Sequence, residues 1–141
     1  MTRAHDTRPA IRRRPWQVIL VTAAVVALAN AVVFALGTLA GASFVVSDES
    51  AVPHPVSLVD VLVMSVIPLA LGAGLAVLLQ RWWRHALLAA QIVGASLAVL
   101  SVAGPLSARS DTATMVALGI MHLLVGVAVV AALAPLRASR R

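Results

Sequence analysis

The sequence predicts an all-α, polytopic membrane protein built as an antiparallel bundle of four transmembrane helices. Of its 141 residues, 61% are hydrophobic and 11% charged, against a charged share of roughly 25% in a soluble domain. The mean hydropathy is +0.99. Four stretches carry no charge: Pro15 to Ser47, Val61 to Gln80, Ala86 to Ala108 and Thr112 to Leu136. Each reaches the ~20 residues that a helix needs to cross ~30 Å of hydrocarbon. A helix satisfies its own backbone hydrogen bonds in lipid, and the alternating ~10-residue pattern of a membrane β-barrel is missing.

Taken in chain order, residues 1 to 14, with five arginines and Pro9, read as a disordered basic cytoplasmic tail; the four-helix domain covers 15 to 136, and a second basic tail covers 137 to 141. Helix one is expected over about 16 to 39, with an extension towards Phe44 left open. A cleaved signal peptide competes for this segment, with "ALA" at Ala27 to Ala29 as its cleavage site, and "RRRPW" at Arg12 to Trp16 resembles a twin-arginine signal. The apolar run continues to Val46, however, well past a signal core of ~7 to 15 residues. In the following loop, Pro53 and Pro55 forbid a regular helix. "SLVD", Ser57 to Asp60, matches a capping box and makes Asp60 a helix cap rather than a ligand. Helix two follows over 58 to 80, with a kink expected at Pro68. The turn "RWWRH" is so short that helix three, 86 to 104, must return antiparallel to helix two. Helix four is expected over 113 to 134, stopping before Pro135.

Charge gives the threading. Arg3, Arg8, Arg12, Arg13, Arg14, Arg81, Arg84, Arg137, Arg140 and Arg141 share one side, and the other side holds Arg109 with Asp48, Glu49, Asp60 and Asp111. Because arginine is retained on the cytoplasmic side, both termini are expected in the cytoplasm and the protein in the cell membrane, with Arg12, Arg13, Arg14, Arg81, Arg84 and Arg137 as topology signals. Trp16, Trp82 and Trp83 fall at that same interface. The net charge of +6 does not suggest nucleic acid, since the arginines sit at helix ends rather than in a stripe with aromatics. Cysteine is absent, which excludes thiolate catalysis and disulfides.

Helices in lipid associate through small residues and polar contacts. Ala23, Ala27, Ala31 and Ala35 recur at intervals of four in helix one beside Asn30, and Gly37 and Gly41 form a GxxxG. Ser65, Pro68, Gly72 and Ala76 share a face of helix two; Gln91, Gly94, Ala95 and Ala98 share one of helix three; Gly119, His122 and Gly126 share one of helix four. These faces are expected to point inward, with Ala27, Ala31, Gly37, Gly41, Gly72, Gly94, Gly119 and Gly126 as packing positions. Counting ~1.5 Å per residue puts Asn30, Ser65, Ser96 and His122 in one layer about 10 to 14 Å below the outer boundary. A hydrogen bond between Asn30 and His122, direct or through water, is therefore expected, with a serine as a third member.

Two readings of that layer stay open. It pins the packing register of the helices, or His122, the one ionisable residue deep in the apolar runs, binds a polar ligand or relays protons. Enzymatic signals are weak. His5, His54, His85 and His122 have no metal-ligand spacing, and "GASL" at Gly94 to Leu97 lacks the second glycine of a rhomboid-type motif. Nothing in the sequence calls for a cofactor or a metal.

The segments "ALANAVVFALG" (Ala27 to Gly37), "VIPLALGAGLA" (Val66 to Ala76) and "MHLLVGVAVVAALAPLR" (Met121 to Arg137) resemble small four-helix membrane proteins grouped as a domain of unknown function in high-GC Gram-positive bacteria. The likeness covers about residues 12 to 137 and rests on Asn30 in helix one and Met121-His122 in helix four. It implies a four-helix membrane topology and carries no activity. The expected role is that of a non-enzymatic integral membrane protein, a structural or accessory subunit or homo-oligomer. Its expected partners are the lipid bilayer and a second copy or another membrane protein. The alternative is a small dimeric carrier or channel that uses the Asn30/His122 layer.

Overall fold

In the computed structural model, residues 14–47 and 52–138 are described. The basic tail with Arg12 and Arg13, the last residues of the second tail, and the loop acids Asp48 and Glu49 lie outside the described residues. Four helical spans are long and apolar enough to cross a membrane: Pro15–Leu39, Leu58–Leu79, Ala86–Ser107 and Thr112–Ala138. They form helices α1 (Pro15–Leu39), α2 (Leu58–Leu79), α3 (Ala86–Ser101) with its short continuation α4 (Ala103–Ser107), and α5 (Thr112–Ala138).

Local chemistry sets the helix ends. Pro15 opens α1, where its missing N–H costs nothing. At the other end of α1, Gly41 adopts φ +87°, and the amides of Gly41 and Ala42 return to the carbonyls of Thr38 and Gly37 at 3.1 and 2.9 Å. This is a Schellman closure that needs a left-handed residue. At α2 the expected capping box is present: Ser57 N–H donates to Asp60 Oδ2 at 2.9 Å, and Asp60 N–H donates to Ser57 Oγ at 3.2 Å. The helix then runs unbroken through Pro68. Two expectations shift. The third span divides at Val102, and α5 continues through Pro135 to Ala138, since proline removes only one bond of the helical ladder.

The all-α class holds with one local addition. Val45–Ser47 (β1) and Pro53–Pro55 (β2) pair antiparallel with Val46 opposite His54, and Ser47 bridges to Arg109 ahead of α5. The prolines prevent helix but tolerate a short edge pairing.

α1 packs along both α2 and α5, α3 packs along α5, and α2 makes much less contact with α3 and with α5. Three buried clusters follow one another down the bundle. Ile19, Ala76, Leu87 and Leu136 meet at the end where α1 begins and α5 finishes; Ala23, Val26, Leu69 and Ala128 fill the middle; Phe44, Val61, Ala117 and Met121 close the hairpin end. Close packing passes through three of the expected glycines. A Cβ at Gly37 would stand 2.8 Å from the Phe44 ring, one at Gly94 2.7 Å from Val129 Cγ1, and one at Gly126 2.5 Å from Ala98 Cβ. Gly119 is buried with ordinary contact to Val102.

Other small residues do not pack as expected. Gly41 forms the turn described above, and Gly72 is exposed with no atom within 4 Å of a Cβ built there. Ala27 and Ala31 are half-buried and Ala35 is exposed; the buried line of α1 is Ile19, Ala23, Val26, Asn30 and Gly37. The reason is the helical period: a spacing of four overshoots 3.6 residues per turn, so the alanine stripe rotates by ~40° at each step.

A side-opening groove as the candidate functional site

Between α2 and α3 lies a groove of about 820 Å³ that spans most of the bundle, from Asp60 and Ser101 at the hairpin end to Trp83 and Leu133 at the other. The short turn 80–85 joins the two helices at one end without holding them together along their length. α5 forms the back of the groove, and Asn30 is the one α1 residue that reaches it. Its lips are apolar: Met64 and Leu75 on α2, and Val93 and Leu97 on α3, line it while remaining more than half exposed. In a bilayer, such a mouth faces the acyl chains. The walls include the open Gly72 and Pro68 of α2, which explains why that half of the expected inward face is unpacked.

The floor is polar at one level. Asn30 is 1% exposed and Ser65 2%. The Asn30 Nδ2 amide donates to Ser65 Oγ at 2.7 Å, and Ser65 Oγ donates to the Val61 carbonyl at 2.6 Å. Because the single serine proton goes to that carbonyl, the oxygen must accept from Asn30, which fixes the orientation of the amide. The Asn30 Oδ1 atom is then left buried without a hydrogen-bond partner. His122 is half-buried and also lines the groove, with Nδ1 2.7 Å from the Leu118 carbonyl one turn back in α5. A carbonyl only accepts, so Nδ1 carries the proton and Nε2 of the neutral ring is an acceptor.

Asn30, Ser65 and His122 line one groove, but no hydrogen bond joins Asn30 to His122; each binds a nearer partner. Ser96 is exposed and does not line the groove. Five residues beyond the buried Gln91, it stands ~140° round the helix from it. Counting residues assigns Ser96 a depth but no azimuth.

Further polar contacts fix the two ends of the bundle. At the hairpin end, Asp111 accepts from Ser43 Oγ at 2.6 Å, Ser43 N–H at 3.1 Å, Thr114 Oγ1 at 2.7 Å and Thr114 N–H at 2.8 Å. The Ser43 and Thr114 donors hold its carboxyl far below the ordinary carboxylate range. Thr114 Oγ1 also accepts from the Phe44 amide at 2.9 Å. Phe44, at φ +50°, stacks on Phe34 with ring centroids 4.3 Å apart. Sequence reasoning missed this clasp; the Asp111-x-x-Thr114 spacing at a helix start was its one local signal. At the opposite end, Arg137, expected only as a topology signal, donates to Gln91 Oε1, while Gln91 Nε2 donates to the Val130 carbonyl at 3.0 Å. Arg14, Arg81 and Arg84 are exposed at that same end. Among the described residues, no group of three or more His, Asp and Glu could hold a metal ion.

No curated protein and no solved structure matches the chain. A family model described as "Family of unknown function (DUF6069)" matches residues 10–139. That match takes in all four spans and the whole lining of the groove, and the chain belongs to this family of unknown function.

Proposed function

We propose that the chain is a non-enzymatic, multi-pass protein of the cell membrane with both termini in the cytoplasm, and that it serves as a small accessory subunit by holding an apolar molecule of the bilayer in the groove between α2 and α3. The observation that carries this reading is the groove itself. Its ~820 Å³ falls within the ~300–1,000 Å³ of small-molecule sites, as does its make-up of apolar walls with a few convergent polar groups. Three charged side chains are held in structural contacts: Asp60 caps α2, Asp111 closes the hairpin end and Arg137 bonds Gln91. Orientation rests on the positive-inside pattern, with ten of the 11 basic residues on the side of the termini. The connections between spans, 40–57, 80–85 and 108–111, are short, which suits a subunit that works beside a second copy or another membrane protein.

The test uses the full chain in lipid nanodiscs with Trp16→Phe and Trp82→Phe, so that Trp83, which lines the groove, is the reporting indole. The methyl ether of hexadecanol, bromine-tipped at its far end, is added as a quencher. Saturable quenching that Gly72→Phe abolishes is expected, because Gly72 stands on the wall with open space before it. Linear quenching, equal in both proteins, refutes the reading.

A further inference from the structure

We infer that the groove selects a neutral, long-chain molecule that carries a hydroxyl, and that Asn30, with His122 as a second acceptor in the same lining, receives that hydroxyl as hydrogen-bond acceptor. The inference rests on the binding role proposed above and adds the chemical class of the ligand.

Three features point the same way. The Asn30 amide is held by Ser65, whose own proton is committed to Val61, so its Oδ1 is an acceptor and finds no donor in the protein. A buried polar group without a partner is uncommon and calls for an explanation, of which a ligand is one. His122 commits its Nδ1 proton to Leu118, which leaves Nε2 as a second acceptor on a residue of the same lining. Ser65 Oγ, with its proton spent, offers no donor either. The floor of the groove therefore presents two uncommitted acceptors, Asn30 Oδ1 and His122 Nε2, against one remaining donor, the second Nδ2 proton of Asn30, in surroundings that are otherwise apolar.

An occupant that only accepts, such as an ether or a ketone, leaves Oδ1 unpaired. A cation is disfavoured at this depth. Asn30 lies nine residues inside the Leu39 end of α1, about 13 Å along the axis, and an isolated charge there pays a large desolvation cost. A hydroxyl supplies one donor without charge. From Ser65 to the far end of α2 the groove extends 14 residues, about 21 Å, which accommodates a long chain running towards Trp83.

The experiment compares bromine-tipped hexadecanol with its methyl ether on the native groove, with Trp83 as the reporter in the nanodisc system described above. The two probes share the chain and the oxygen and differ in the O–H. The alcohol is expected to half-saturate at about fivefold lower mole fraction in the bilayer than the ether, the ratio that one net hydrogen bond produces. In Asn30→Leu the two probes should become equal within about twofold, and His122→Phe, which leaves the Asn30–Ser65 pair intact, should narrow the gap. Equal binding of both probes by the native groove overturns the inference while the binding role stands. A preference undiminished in both variants overturns it as well. Saturable quenching by neither probe overturns the inference and the binding role together.

Discussion

Gly126→Ala tests how closely α3 and α5 approach. The added Cβ would stand 2.5 Å from Ala98 Cβ, about 1 to 1.5 Å inside the ~3.5–4.0 Å optimum for two carbons. Ala98 has no side-chain torsion, so relief must come from moving one helix away from the other. Overpacking of this kind costs about 1–3 kcal/mol. Replacing glycine by alanine in a helix returns ~0.8–1 kcal/mol of propensity. The balance is a destabilisation of about 1 kcal/mol, with an upper bound near 2 kcal/mol. Gly72→Ala has the same propensity gain with nothing within 4 Å of the new methyl, so it should stabilise by ~0.8–1 kcal/mol. One substitution thus takes opposite signs at two positions in the same bundle. The assay is reversible unfolding in mixed micelles, followed by circular dichroism. Ala98→Gly combined with Gly126→Ala transfers the methyl across the interface, and a coupling of about 1–3 kcal/mol in favour of the double variant is expected. The reasoning is refuted if Gly126→Ala stabilises as much as Gly72→Ala, or if the double-mutant cycle shows no coupling.

Two further outcomes concern the hairpin end. The fold depresses the Asp111 carboxyl below its ordinary value, near ~3.9. Its contribution is therefore complete above that value and is lost as the pH falls below it towards the depressed one. Thermal melts between about pH 6 and pH 2 should show native stability dropping on the acid side more steeply than that of Asp111→Asn; parallel curves would remove Asp111 from the clasp. Phe44, buried at 3% exposure and at φ +50°, should lose ~3–5 kcal/mol on truncation to alanine. Phe44→Gly should then be the more stable of the two truncations by about 1 kcal/mol, since glycine adopts positive φ without strain. Alanine matching glycine in the same micellar unfolding assay would contradict that strain.

The features legible in the sequence are those decided by short-range chemistry. Spans follow from runs of apolar residues, because the cost of exposing a backbone to lipid is paid segment by segment. The Ser57–Asp60 capping box is a three-residue pattern and was read correctly. Axial depth, obtained by counting residues, brought Asn30 and Ser65 to one level, where the structure joins them at 2.7 Å. The same count included Ser96, which faces outward, because depth says nothing of rotation about the helix axis. His122 bonds Leu118 within its own helix. A carbonyl four residues back is always within reach, whereas a partner on another helix must be brought there.

Sequence alone determined that this chain has four membrane-length helices, that Ser57 and Asp60 cap the start of the second, and that Asn30 and Ser65 share a depth. Tertiary structure alone decided that a groove opens between α2 and α3, so that Gly72 faces open space while Gly94 of α3 and Gly126 of α5 lie in the close contact between those two helices. It also brought Ser43 to Asp111 across 68 residues of chain. Hydropathy has nearly the same value on every side of these helices, so it directs no face inward. The rotation and spacing of the helices follow from the fit of specific side chains against one another, and that fit leaves the groove and its unpaired amide oxygen.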